Sequence, residues 1–297
     1  MRIKYLKACK YYKSIKIKGC GYGLMDNYTN LTNVEEFLGW YVGDGCISIN
    51  KRYSEFALTG DITEEYPFYR NIVVPSFNEI FKRYLKKPVE LKKYRSVGVC
   101  GIYVFNKDFV AMLQHDFDLI SGKKITITIP PCIKTEHQKI DFLRGLYDTD
   151  GSIYFCKSNT KTKKESLYFL FHYTPKIKIA GISKVLIEQV YEIILSLGFS
   201  PRIQKPIQQR KNEYLMHSVI LDRRKDVLMW DKNIGFNNEK HSTKIDIWKK
   251  FGFCPPYTTL QERFQILNNN LNPLIYYPKY FKSLSAIKRK LSPVSVI

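Results

Sequence analysis

Two periodicities organise the chain. The segment FLGWYVGDGCI (37–47) carries apolar residues at helical spacing and then stops on Asp44-Gly45. The following CISINKRY (46–53) alternates with the period of a strand, which predicts Ile47 and Ile49 on a core face and Ser48, Asn50 and Arg52 on the opposite one. An amphipathic stretch over 66–85 predicts a helix, two further strands follow, and FNKDFVAML (105–113) returns to helical spacing. A carboxylate at the end of a greasy helix is out of place, because a helix C-terminus carries partial negative charge and favours Lys, Arg or His. Gly45 is expected to supply the positive φ with which many helices end.

The same order then recurs. LRGLYDTDGSI (143–153) matches 37–47 at an offset of 106 residues, with Gly39, Tyr41, Asp44, Gly45 and Ile47 reappearing as Gly145, Tyr147, Asp150, Gly151 and Ile153. Behind it come a strand, the helical ISKVLIEQVYEIILSLG (182–198) with Val185, Ile187, Val190, Ile194 and Leu197 near helical spacing, two more strands, and a second Lys-Asp helix, RRKDVLMW (223–230). The pattern predicts an α+β protein of two pseudo-symmetric αββαββα halves. Its expected boundaries are a basic N-terminal arm over 1–30, a first half over 31–135, a second over 136–253, and a C-terminal extension over 254–297.

Gly39 and Gly43 lie four apart, as do Gly145 and Thr149, so each helix offers one face of small residues on which two backbones can approach closely. Packed on those faces, the helices bring Asp44 and Asp150 together at one end. Two adjacent carboxylates repel, and a hard divalent cation such as Mg²⁺ relieves the conflict; such cations suit attack on a phosphodiester.

Charge sharpens this picture. The chain has 48 Lys+Arg against 27 Asp+Glu, a formal net charge of +21, which implies a polyanionic partner, nucleic acid being the commonest. Its seven cysteines are scattered without a C-x-x-C pair or His at ligand spacing, which argues against zinc and against a complete disulfide framework and points to reduced thiols in a cytoplasmic protein. No apolar run approaches the ~18 residues of a membrane span, and the basic N-terminus lacks the apolar core of a secretory signal. No membrane partner is therefore expected.

FLGWYVGDG and LRGLYDTDG resemble the paired motifs of single-chain LAGLIDADG (DOD-type) homing endonucleases, and GKKITITIP (122–130) and IGFNNEKHSTKIDIWKKFGFCPPYTT (234–259) are similar to segments of archaeal intron-type members. The resemblance covers about residues 30–260. It implies that the motif helices form the interface between the halves, and that the strands form a saddle over double-stranded DNA. A monomer would cut both strands of a long, nearly palindromic site across its minor groove. It also implies a metal site at Asp44 and Asp150 with Gly43 and Thr149 just before them, holding Mg²⁺ or, in substitution, Mn²⁺. A lysine from each half is implied beside the attacking water: Lys240 in the second, Lys123 or Lys124 in the first. The sixth motif position, Val42 in one half and Asp148 in the other, is expected to matter little. A chain that starts Met-Arg and ends Val-Ser-Val-Ile lacks the residues that protein splicing needs, so a free-standing protein is expected.

Strand alternation supplies candidate readers of base edges: Ser48, Asn50 and Arg52, then Lys176 and Lys178 in KIKIAG (176–181), then Arg202 and Gln204 flanking a core-facing Ile203. The loops KSNTKTKKE (157–165) and QQRKNE (208–213), including Lys211, and the tail LSAIKRKLS (284–292) are expected to grip phosphates. Two alternatives stay open on the same scaffold: an intron RNA maturase, and a DNA-binding regulator that does not cut.

Overall fold

A computed structural model describes residues 32–122, 124–157, 171–208 and 213–277. The expected N-terminal arm, Lys123, Lys211, most of KSNTKTKKE and the tail LSAIKRKLS lie outside these residues. The first helix, α1 (Val34–Asp44), begins where the Asn33 side chain accepts a hydrogen bond from the Glu36 N–H, with Glu35 and Glu36 in its first turn. Phe37, Leu38, Trp40, Tyr41 and Val42 are all buried, as expected of a helix apolar on every side.

From α1 the chain passes into β1 (Gly45–Ile49) and β2 (Ser54–Asp61), then a helical segment, α2, that starts at Tyr66–Phe68, widens into a π-turn over Tyr69–Val73 and continues as Val74–Phe81. Pro75 has no N–H to give the preceding turn, which accounts for the widening. The helix predicted over 66–85 is therefore interrupted and ends four residues early. β3 (Lys92–Tyr94), β4 (Val99–Phe105) and α3 (Lys107–Phe117) complete the first half. The second runs α4 (Glu136–Asp150), β5 (Gly151–Cys156), β6 (Thr174–Gly181), α5 (Lys184–Ser196), β7 (Arg202–Ile207), β8 (Met216–Leu221) and α6 (Arg224–Asn233); α7 (Glu239–Phe251) and α8 (Leu260–Leu267) follow. Among the described residues the two four-stranded antiparallel sheets have the same order, β1-β2-β4-β3 and β5-β6-β8-β7. The fold is thus the two-half α+β architecture that the repeat implies.

The halves meet through α1 and α4. A Cβ on Gly39 would lie 2.3 Å from the Phe142 carbonyl oxygen, and one on Gly145 would lie 2.1 Å from that of Glu36. Phe142 is Glu36 displaced by the repeat, so each helix uses the same glycine against the same backbone position of the other. The helices therefore run side by side in one direction, and both end at the same place. Gly45 and Gly151 are extended, with φ of −70° and −75°, not left-handed as expected of Gly45. Glycine is needed there because a Cβ would meet Tyr41 Cα at 2.7 Å, or the Tyr147 carbonyl oxygen at 2.2 Å.

Around this seam, Phe37, Phe56, Phe77, Phe81 and Phe109 interlock in the first half, and Tyr147, Trp230 and Phe236 in the second. The alternation fails at exposed sheet and helix margins: Ile49, Ile203 and Val185 were expected on core faces, yet each is about half exposed (51%, 49% and 49%). Ile49 ends its strand and Ile203 lies on the edge strand β7, where no neighbour covers them. Residues after α7 join the core, with Cys254, Ile266, Leu274 and Tyr277 buried. The fully buried Arg263 ties α8 to the first half through Glu64.

The glycine seam makes a sharp test. Ala at 145 would gain ~1 kcal/mol of helix propensity, but its methyl has only backbone to push against. We expect Gly145→Ala to lose about 3 kcal/mol net in urea unfolding monitored by circular dichroism; an unchanged midpoint would mean that the helices are not in backbone contact.

Candidate active site at two helix ends

Because α1 and α4 end together, their last residues lie side by side. A Cβ on Gly43 would come within 2.0 Å of Thr149 Oγ1 and 3.4 Å of the Asp150 carboxyl carbon, which places Asp150 against the last turn of α1. Both Asp44 and Asp150 are half-buried. Burial, then the nearby Asp150 and Glu65, push the Asp44 carboxyl up to about 8 against the pull of Lys124 and Lys240. Asp150 is pushed up to about 6, again mainly by burial, with the two lysines opposing. The structure therefore brings together Asp44, Asp150, Lys124 and Lys240.

Lys124 resolves the oddity of an acid at a helix end. Its ammonium donates to the carbonyls of Tyr41 (2.7 Å), Val42 (3.1 Å) and Gly43 (2.6 Å), supplying from a distant loop the positive cap that α1 lacks in its own last turn. Burial pushes this lysine down to about 8, while Asp150 and Asp44 pull it back. Lys240, at the start of α7, forms an ion pair with Glu65 at 3.1 Å.

Glu65 escaped the sequence pattern. It is buried at 4% exposure, takes the Asp61 N–H on Oε2 (2.7 Å), and takes Asn238 Nδ2 (3.2 Å) and Lys240 Nζ (3.1 Å) on Oε1. A first-half carboxylate thus holds two second-half side chains beside the aspartates. Only its position at a strand-to-helix turn hinted at this; nothing in the spacing linked it to residues 238 and 240.

Asp148 needs correction. Expected to matter little, it is fully buried and accepts the backbone N–H groups of Asn237 (3.0 Å) and Asn238 (3.1 Å), anchoring the turn that launches α7 and thereby Lys240. Burial, then Glu36, hold its carboxyl well above the ordinary range. Glu36 itself, pushed up to about 7 by burial, pairs with Arg144 across the seam at 3.0 Å.

The expected base readers fare unequally. Ser48 is exposed on β1, and Lys176 and Lys178 alternate with buried Pro175, Ile177 and Ile179 on β6. Asn50 is not on a strand: its Oδ1 accepts the N–H groups of Arg52 (2.8 Å) and Tyr53 (2.9 Å), so it builds the hairpin turn, with Arg52 exposed at the tip. Arg202 is paired with Asp222, and Gln204 accepts from Ser218 at 3.0 Å.

The donor set fits a hard cation. Asp44 and Asp150 offer two carboxylates whose burial without a cation is unfavourable, and the Gly43 carbonyl that precedes Asp44 is held by Lys124. Thr149 Oγ1 is engaged by its own helix, donating towards Gly145 and Leu146. Among the described residues no group of three or more His, Cys, Asp or Glu has the geometry to hold a metal ion; Glu65, though near both aspartates, is spent on Lys240, Asn238 and the Asp61 N–H.

Residues 137–228, from α4 to α6, match the family described as a LAGLIDADG-like domain. The match begins at α4; α1 is its counterpart through the internal repeat and lies outside the matched residues. A structure of an I-SmaMI variant is similar in fold, with a TM-score of 0.50 and 11% identity over 88% of this chain and 99% of that one. A variant of the homing endonuclease I-DmoI has a TM-score of 0.45 at 16% identity, over 68% of this chain and 93% of that one. I-DmoI has also been solved with DNA and Mn, with a TM-score of 0.45 at 16% identity over 68% and 94%. No curated protein matches the sequence. Among the described residues no helix is long and apolar enough to cross a membrane.

Two outcomes test this site. Asp44 and Asp150 both have folded values above the unfolded one, so the native state binds the extra protons. Stability should be greatest below about pH 4 for these groups and should fall as pH rises through 6 and 8. Asp44→Asn should therefore raise the Tm of metal-free protein at pH 8.5 more than at pH 5, and millimolar Mg²⁺ should raise the wild-type Tm at pH 8.5 but not that of Asp44→Asn. Separately, Asp148→Ala strands two backbone N–H groups and should lose about 3 kcal/mol in urea unfolding.

Proposed function

We propose that this protein is a site-specific endonuclease that hydrolyses double-stranded DNA with a divalent metal, Mg²⁺ or Mn²⁺. The observation that carries the reading is the pair Asp44 and Asp150 at two adjoining helix ends, flanked by Lys124 and Lys240. The net charge of +21 supports a polyanionic substrate.

In this reading Asp44 and Asp150 hold the cation by their carboxylate oxygens, with the Gly43 and Thr149 backbone beside them. The bound metal would supply water activation and neutralise charge on the scissile phosphate. Lys240, oriented by Glu65 and by the turn that Asp148 anchors, places positive charge where the oxygens of the pentacoordinate phosphorus would develop negative charge. Lys124 does the same from the α1 end while fixing the helix terminus; Lys123 beside it remains a candidate for the same role. One chain supplies both acids, which supports a monomer acting on a two-sided site. The sheet faces carrying Ser48, Lys176, Lys178, Arg202 and Gln204 would read the flanking base pairs, with Lys211 on phosphate. Retention of both acids favours a nuclease over a regulator that only binds, and over a maturase acting on intron RNA.

Incubating the protein with a randomised duplex library and Mg²⁺, then sequencing the cut ends, tests this directly. We expect one long recurring sequence, with cutting lost by at least a thousandfold in Asp44→Asn and Asp150→Asn while gel-shift binding persists. Full cutting by either variant would remove both acids from the mechanism.

A further inference from the structure

The two sheets are related by the repeat, yet matched positions on their outward faces differ in charge. Ser152 and Tyr154 on β5 pair with Lys178 and Lys176 on β6. At the equivalent positions, displaced by 106, Cys46 and Ser48 on β1 pair with Ala57 and Glu55 on β2. Where the second half presents two lysines, the first presents a methyl and a carboxylate. On the next strand Ala57 and Glu55 pair with Tyr103 and the exposed Phe105 on β4, whereas Lys178 pairs with the buried Ile220 on β8.

These rings are part of an exposed apolar patch. Phe105 is 61% exposed and packs edge-on against Tyr53 with centroids 6.1 Å apart; Tyr103 packs edge-on against Tyr94 at 5.4 Å. The Lys92 ammonium lies over both rings, 5.7 Å from Tyr103 and 5.9 Å from Phe105. Clustered exposed aromatics of this kind mark a binding surface. Lys92 keeps the patch compatible with a polyanion, whereas Glu55 cannot approach phosphate favourably. In the major groove the apolar feature is the thymine C5-methyl, and apolar side chains are its natural contacts.

Resting on the DNA reading above, we infer that the two halves recognise their half-sites by different chemistry: the first sheet selects thymine methyl groups through Phe105, Tyr103 and Ala57, and the second selects hydrogen-bonding edges through Lys176 and Lys178. The recognised DNA is then symmetric in its cut but asymmetric in what specifies it, with thymines concentrated on one side.

Deoxyuridine tests this, because it pairs like thymidine and lacks only the methyl. Duplexes bound by the intact protein in EDTA are selected from a randomised library, and the preferred one is resynthesised with deoxyuridine in one half or the other. The expected result is a loss of binding of about fourfold per methyl removed in one half, less than about twofold overall in the other half, and a clearly smaller penalty in that first half in Phe105→Ala. Phe105 is an exposed residue at the end of its strand, so that variant should fold and should bind the unsubstituted duplex more weakly, by about what the methyl contacts contribute. Equal penalties in both halves, no penalty in either, or a penalty undiminished in Phe105→Ala would overturn the inference while leaving DNA binding intact. Failure to enrich any duplex would instead remove the DNA reading on which it rests.

Discussion

Everything in this molecule is organised around the contact of two helix backbones. Gly39 and Gly145 let α1 and α4 approach until only hydrogen atoms fit between them, and reciprocal use of the same positions forces the helices to run in parallel and end in register. Parallel, in-register ends put two C-terminal dipoles and two carboxylates into one small volume. Most of the polar structure nearby answers that concentration of negative charge. Lys124 caps the carbonyls of α1, Lys240 approaches from α7, and the carboxyls of Asp44 and Asp150 hold their protons to unusually high pH.

The seam is also polar where it need not be. Glu36, Asp141, Arg144 and Asn237 form a buried network across it, with Arg144 donating to Glu36 and paired to Asp141 at 3.1 Å. Replacing such a network with apolar residues is often neutral or stabilising, so its presence is weak support for stability. It does distinguish the two halves. Glu36 and Arg144 are not related by the repeat, so the network favours this heterologous pairing over two copies of either half.

The sequence made the architecture legible because repeats and small-residue spacing survive projection onto one dimension. Asp44 and Asp150 announced themselves by breaking a rule of helix ends twice in the same place. Partners defined by long loops did not. Glu65 meets Asn238 and Lys240 across more than 170 residues, and Asp148 looked interchangeable with Val42 until the α7 turn was seen to hang from its carboxylate. Short-range pattern also misled at margins. Asn50 fits strand alternation but spends its oxygen on a turn, and Ile49 and Ile203 fit a core face that ends before reaching them. Gly45 was recognised as obligatory for a reason of conformation, when the actual reason is room for Tyr41.

The link between Glu64 and Arg263 has a consequence for biosynthesis. Glu64 and Glu65 sit on one turn of the first half, and their partners, Asn238, Lys240 and Arg263, emerge from the ribosome some two hundred residues later. Until they arrive, Glu65, destined for burial, and Glu64, destined for partial burial, lack these partners and stay solvated. Assembly of this cluster is thereby deferred until nearly the whole polypeptide has been made.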